Sequence, residues 1–188
     1  MIIDFHSHIL PGIDDGARTL EESIQIVKAM SAMGFDRITC TPHITKKYRN
    51  TPENIKERFD LLVTGMKDSG TEVDLRMSAE YRLNPETWPD ILAKGKLMPI
   101  EDKFILMEFP INDESDMYGL DPEEEFRKVI SLGLTPILPH PERYAYLPHE
   151  TLLRYVDLGV RIQSNYGSLA GIYGEEVQTK AQALIDEG

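Results

Sequence analysis

Short apolar runs alternate along the chain with stretches in which apolar residues recur every three to four positions. The runs near 2 to 8, 37 to 43, 73 to 82, 104 to 110, 135 to 140 and 160 to 165 predict six strands. Between them, Leu20, Ile24, Val27 and Met30, and then Ile55, Phe59, Leu62 and Met66, keep helical spacing and mark core-facing helix sides. This βα rhythm predicts a mostly parallel sheet or barrel. Helix starts are written just as clearly. Thr19 with Glu22 and Asp121 with Glu124 read as capping boxes, while Thr51-Pro52, Asn84-Pro85 and Asp121-Pro122 set a cap before a first-turn proline. Gly34, Gly70, Gly95, Gly133, Gly159 and Gly188 each close a helical pattern, as a left-handed C′ glycine does. A strand follows the first five within a few residues. By the same rhythm a further strand is due after Gly188, so the expectation is a single domain over 1–188 that is C-terminally incomplete.

With 188 residues and 41% hydrophobic content the chain can bury one sizeable core. A formal charge of -12 argues against general binding to nucleic acid or to an anionic membrane, although a local phosphate site remains compatible with it. Cys40 is the single cysteine, which excludes an internal disulfide framework and fits a reducing compartment. Residues 1 to 15 lack the basic start and continuous apolar run of a signal peptide, and no window approaches ~18 apolar residues. A cytoplasmic protein without membrane insertion is expected.

In parallel α/β architectures the C-terminal strand tips gather on one face, where the chemistry sits. Read in order, the tips offer His6 and His8 followed by Asp14 and Asp15, then Thr41-Pro42-His43, Glu80, Glu108, and finally His140-Pro141-Glu142-Arg143. Four of the five histidines therefore fall at strand ends. His6 and His8 are two apart on a strand and so point the same way. Imidazoles and carboxylates are ligands for borderline and hard divalent ions, and buried carboxylates need a cation or donors to offset desolvation. A polynuclear metal site is the expectation. Taken singly, Glu80 or Glu108 also suits an edge carboxylate in a salt bridge. Of Asp14 and Asp15, one can ligate while the other caps the turn at Gly16. His149 lies away from the tips and reads as surface. Arg143 offers a planar bidentate donor for phosphate oxygens, or else a salt bridge to a nearby Glu. Lys46, Lys47 and Arg49 form either a basic lip around Tyr48 or an ordinary solvated loop.

Spacing removes the competing nucleophiles. A Cys-x5-Arg phosphatase loop fails because Lys46 stands six residues after Cys40, which reads as core. There is no Gly-x-Ser-x-Gly elbow and no Gly-x4-Gly-Lys-Ser/Thr loop.

D-x-H-x-H at Asp4 to His8, T-P-H at 41 to 43, Glu80, L-x-E-F at 106 to 109 and H-P-E-R at 140 to 143 together resemble the polymerase-and-histidinol-phosphatase (PHP) superfamily. Within it, H-I-L-P-x-x-D-D-G-A at 8 to 17, H-P-E-R and G-S-L-A-G-I-Y-G at 167 to 174 are similar to bacterial manganese-dependent protein-tyrosine phosphatases of the CpsB/CapC/YwqE type. The resemblance implies an α/β fold, a distorted (β/α)7 TIM-like barrel, here without its last strand. It implies two to three divalent ions, Mn2+ foremost with Fe or Zn as alternatives. By the same resemblance, His6, His8 and Glu80 would hold one ion, Glu80 would bridge to a second completed by Glu108 and His140, Asp15 with His43 would hold a third, and Arg143 would bind phosphate. An Asp-x-His pair and a further arginine of the family's last strand have no counterpart here. The implied substrate is a phosphotyrosine protein, a bacterial tyrosine autokinase that controls capsule and exopolysaccharide synthesis. A small-molecule phosphatase of the histidinol-phosphate type and a non-catalytic metal-binding fragment are the alternative readings.

Overall fold

The computed structural model describes every residue except Asp68, Asn112, Asp113, Glu187 and Gly188, and the side chain of Asp116. The cap expected at Gly188 lies outside the described residues. β1 (Ile2–Ser7), α1 (Leu20–Ala32) and β2 (Phe35–Cys40) form a parallel βαβ unit. The run expected as one strand over 37 to 43 stops at Cys40 because Pro42 has no N–H for a ladder, and a two-residue strand, β3 (His43–Ile44), starts after it. α2 (Pro52–Lys67) leads to β4 (Asp74–Met77), and the run over 73 to 82 divides likewise at Ser78-Ala79, continuing as β5 (Glu80–Arg82). The two breaks match. Ser78 N–H donates to the Cys40 carbonyl at 2.8 Å and Glu80 N–H to the Pro42 carbonyl at 3.0 Å. β3 and β5 consequently pair in parallel with His43 opposite Glu80.

The remaining elements are α3 (Trp88–Lys94), β6 (Phe104–Glu108), α4 (Pro122–Ser131), β7 (Thr135–Pro139), α5 (His149–Asp157), β8 (Arg161–Gln163), α6 (Tyr166–Leu169) and α7 (Glu175–Asp186). Residues fall into two compact units. The first comprises Met1–Tyr81 and Ile91–Asp102, the second Arg82–Asp90 and Lys103–Gly188. In the first, β1, β2 and β4 make a parallel sheet in that order, beside the β3–β5 pair. In the second, β7 lies between β6 and β8, again in parallel. No helix among the described residues is long and apolar enough to cross a membrane.

Local signals explain the helices with small corrections. Thr19 accepts from Glu22 N–H at 3.2 Å, but Glu22 reaches back to Arg18 N–H, one residue before the expected partner. Asp121 accepts from Glu123 N–H at 3.0 Å, whereas Glu124 is drawn to Lys128, so the box expected between Asp121 and Glu124 is a plain N-cap. Thr51 forms a reciprocal cap with Asn54. Gly34, Gly70, Gly95, Gly133 and Gly159 all take positive φ, as the pattern of helix ends requires. Val27 of α1 and Ile55, Leu62 and Met66 of α2 are buried, with Leu20, Ile24, Met30 and Phe59 half-buried beside them.

An aromatic core organises the second unit. Phe109, Phe126, Tyr144 and Tyr155 pack with ring centroids 5.1 to 6.0 Å apart, within the range where offset and edge contacts add to burial. Tyr144 also ties two strand ends together: its hydroxyl accepts from Phe109 N–H at 3.0 Å and donates to the Pro139 carbonyl at 3.0 Å. Removing that hydroxyl leaves a buried donor and a buried acceptor unmatched. Tyr144→Phe is therefore expected to lower unfolding free energy by about 1–3 kcal/mol, read as a lower urea midpoint with an unchanged slope.

Candidate metal centre

Strand geometry in the first unit brings five of the expected ligands together. His6 lies on β1 and His8 directly after its last residue, and their Nε2 atoms lie 3.2 Å apart. Glu80 receives both: His6 Nε2 is 3.3 Å from Oε1 and His8 Nε2 is 3.3 Å from Oε2. The β3–β5 register delivers the third imidazole, with His43 Nδ1 2.8 Å from Glu80 Oε2. Asp15 Oδ1 lies 3.4 Å from His43 Nε2. Ligand atoms of His6, His8 and Glu80 fall within 4.8 Å of one another, as do those of His8, Asp15 and His43. Glu80 has 0% side-chain exposure, while Asp15 is 61% exposed. A fully buried carboxylate facing three imidazoles, with an exposed carboxylate at the rim, is a nitrogen and oxygen donor set suited to divalent cations.

The neighbouring aspartates divide the work that the sequence left open between them. Asp14 is turned inward with no side-chain exposure, and its Oδ2 takes His8 Nδ1 at 2.8 Å and His43 N–H at 3.0 Å. Its Oδ1 accepts from Gly16 N–H at 3.0 Å, which is the turn cap expected of one of the pair. With both oxygens engaged, Asp14 orients His8 so that Nε2 faces Glu80. Burial by itself would lower the His8 pKa. The hydrogen bonds to Asp14 and Glu80 outweigh it and push the value up to about 9. Burial would likewise raise Asp14, but its bonds to His8 and to the Gly16 and His43 amides hold it below the usual carboxylate range. Gly16 is required for a second reason. A Cβ there would stand 1.9 Å from the His8 carbonyl oxygen, so only glycine lets the loop fold against β1.

The loop after β3 is braced against this cluster. Asn50 donates to the His43 carbonyl at 2.8 Å and to the Ile13 carbonyl at 3.1 Å. Tyr48 stacks on the His43 ring, 5.9 Å between centroids and 5° between planes, and Lys47 caps the Tyr48 ring and hydroxyl. Neither Asn50 nor the stacking role of Tyr48 was legible beforehand. Cys40 is fully buried in β2 and its thiol pKa is pushed up by that burial, in keeping with a core residue.

In the second unit Glu108 and His140 end the neighbouring strands β6 and β7, both buried. Glu108 is gripped by a residue the sequence reading passed over: Arg82 Nε donates to Oε1 at 3.0 Å and Nη2 to Oε2 at 3.2 Å. His140 takes a left-handed backbone, φ 40° and ψ 47°, and its N–H donates to the Gln163 carbonyl, so its imidazole leaves the line of β7. Arg143 ends the short 3-10 turn that follows, its guanidinium carbon 4.4 Å from the Tyr173 ring centroid. The neighbouring Glu142 does not pair with it but turns inward to accept from Asn165 N–H. His149 is exposed at the start of α5, as a surface residue would be.

Residues 2–188 match the model of the family described as capsular polysaccharide synthesis, CpsB/CapC. The tyrosine-protein phosphatase YwqE of Bacillus subtilis (strain 168) is 33% identical over 189 residues, covering 98% of this chain and 72% of that protein. The putative tyrosine-protein phosphatase CapC of Staphylococcus aureus is 27% identical with the same coverages. The tyrosine-protein phosphatase CpsB of Streptococcus agalactiae is 30% identical over 171 residues, 87% of this chain and 67% of that protein. Among solved structures, one described with YwqE from Bacillus subtilis and CpsB from Streptococcus pneumoniae as unique metal-dependent tyrosine phosphatases superimposes with a TM-score of 0.87 at 30% identity, covering 98% of this chain and 74% of that one. An α/β fold with parallel sheets, a cluster of histidines and carboxylates at the strand tips and a family match along almost the whole sequence lead to one assignment: the chain belongs to the CpsB/CapC family.

Proposed function

We propose that this protein is a metal-dependent protein-tyrosine phosphatase acting in the cytoplasm on a phosphotyrosine protein, with a bacterial tyrosine autokinase of capsule synthesis as its partner. The observation that carries this reading is the Glu80 carboxylate, fully buried yet approached by His6, His8 and His43 at 2.8 to 3.3 Å. Membership of a capsular polysaccharide synthesis family whose relatives are named tyrosine phosphatases supplies the substrate class. In this proposal His6, His8, Asp15, His43 and Glu80 are metal ligands, Glu108 and His140 contribute further ones, and Mn2+ heads a choice that includes Fe and Zn. The distorted (β/α)7 barrel belongs to the same proposal, supported by strictly parallel pairing within each unit.

Divalent ions, when bound, supply an activated water and neutralise phosphoryl charge. The chain does the rest. Asp14 fixes the His8 tautomer with Nδ1 toward its carboxylate, leaving Nε2 as donor. Asn50 and Tyr48 hold the His43 loop. Arg143 offers two parallel N–H donors to phosphate oxygens, where charge is spread in the transition state. Because a tyrosine phenol has a pKa near ~10, its departure needs less proton assistance than an alkyl alcohol would.

Purified protein is expected to release phosphate from a phosphotyrosine peptide, to lose that activity on chelation and to regain it with Mn2+. Turnover that survives chelation and metal removal would overturn the metal-dependent reading, and preference for histidinol phosphate would transfer the assignment to a small-molecule phosphatase. Asp14→Ala should weaken metal binding by about 10–100-fold, the usual effect of removing a carboxylate behind a ligating histidine. Titration of metal content against free metal tests this. An unchanged metal affinity would show that His8 needs no such support.

A further inference from the structure

The G-S-L-A-G-I-Y-G segment at 167 to 174 has so far carried no function. It folds as α6 and a run of tight turns, with Ile172 N–H donating to the Gly167 carbonyl at 3.0 Å and Gly174 N–H to the Gly171 carbonyl at 3.1 Å. This brings residue 167 against residue 173. A Cβ on Gly167 would stand 3.3 Å from Tyr173 Cε2, tighter than most side-chain contacts, and at an ordinary 3.5 Å from Ile172 Cδ1. Glycine at 167 thus seats the tyrosine ring at a set place.

Two separate contacts join the segment to the H-P-E-R turn. Glu142 Oε1 accepts from Asn165 N–H at 3.0 Å, fixing the entry to α6. Past the turns, the Tyr173 ring meets the Arg143 guanidinium at 4.4 Å from its centroid. Glu142 and Arg143 are adjacent, so the same turn grips the segment at both ends. An arginine side chain has many rotamers and loses much freedom when it engages a ligand. An aromatic face takes one face of the guanidinium plane and leaves the in-plane N–H donors directed elsewhere. Tyr173 is 44% exposed, so the contact lies at the surface.

We infer that Tyr173 is a positioning residue that holds Arg143 in the orientation for binding phosphate oxygens, through the face of its ring and without its hydroxyl. The inference rests on Arg143 being the phosphate-binding residue of the proposed phosphatase. Two observations support it independently: the guanidinium carbon placed over the ring, and the glycine that makes room for the ring.

The test compares Y173F, Y173L, R143A and the R143A/Y173L double variant in metal-loaded protein. Inhibition by inorganic phosphate and the KM and kcat for a phosphotyrosine peptide are measured alongside metal content. Y173L should raise KM and weaken phosphate inhibition by roughly three- to tenfold, the range of a partly exposed cation–π contact, with kcat and metal content nearly unchanged. Y173F should behave as the unaltered protein, since it keeps the face and drops the hydroxyl. Once Arg143 is gone, Y173L should cost nothing further, because the two act as one unit. If R143A weakens phosphate binding while Y173L does not, or if Y173L adds its full loss on top of R143A, Tyr173 does not position Arg143. If R143A leaves phosphate binding unchanged, the fault lies with the reading of Arg143 as the phosphate-binding residue, and the inference about Tyr173 falls with it. Loss in Y173F equal to that in Y173L would replace the ring face by the hydroxyl and overturn the inference as stated.

Discussion

A carboxylate with no exposure to water is costly unless donors or a cation meet its charge, and Glu80 is such a group. Its surroundings in the first unit follow from that constraint. β1 and the residue directly after it supply two imidazoles from alternate positions, and the β3–β5 register supplies a third directly across the ladder. The register depends in turn on two interruptions, Thr41-Pro42 and Ser78-Ala79, whose backbone groups still bond to one another. Were either strand continuous, its side chains would keep a strict alternation, and a one-residue slip would send His43 or Glu80 to the other face. The breaks in the strands are thus part of how the cluster is assembled.

The strand and helix pattern was legible because hydrophobic period, caps and glycine stops all agreed along the chain. The clustering of His6, His8, His43 and Glu80 was legible for a related reason: histidines collected at the ends of apolar runs. What the sequence hid was the division of the two long runs, since Val, Ile, Leu and Met look the same on either side of a break and only Pro42 marked one of them. It also hid the residues that act at one remove. Asp14 and Asp15 are chemically identical and adjacent, and only the fold shows that one faces inward to His8 while the other is 61% exposed. Arg82 gave no local signal that it would meet Glu108, twenty-six positions along, through both carboxylate oxygens. Long-range partners of this kind are set by strand neighbours, which periodicity alone does not order.

Arg82 changes how Glu108 is to be understood. A guanidinium fork on both oxygens already satisfies much of that buried charge, so Glu108 is stable with or without a cation, unlike a carboxylate surrounded by imidazoles. Glu80 and Glu108, read as equivalent from their places at strand ends, differ in what their charge requires. Imidazoles can leave or lose a proton and so yield to a metal, whereas an arginine stays charged at any working pH. Of these two carboxylates, Glu80 is therefore the one whose charge would gain more from a cation.

The net charge of -12 bears on the same point. For the proposed substrate, a phosphotyrosine segment, such a chain presents an unfavourable long-range field, which salt screens over about 8–10 Å. Attraction has to arise within that distance, from groups that are fixed in place and few. Lys47 is committed to the Tyr48 ring and hydroxyl, and Tyr48 to His43, so this part of the basic loop braces the cluster. Arg143 has its guanidinium carbon over the Tyr173 ring, 4.4 Å from the centroid, a contact that does not require a carboxylate. An ion pair would have spent its N–H donors on a protein carboxylate. Glu142, the carboxylate nearest in sequence, is withdrawn to the Asn165 amide. An aromatic ring can support a cation in an acidic chain without neutralising it, as a carboxylate partner would.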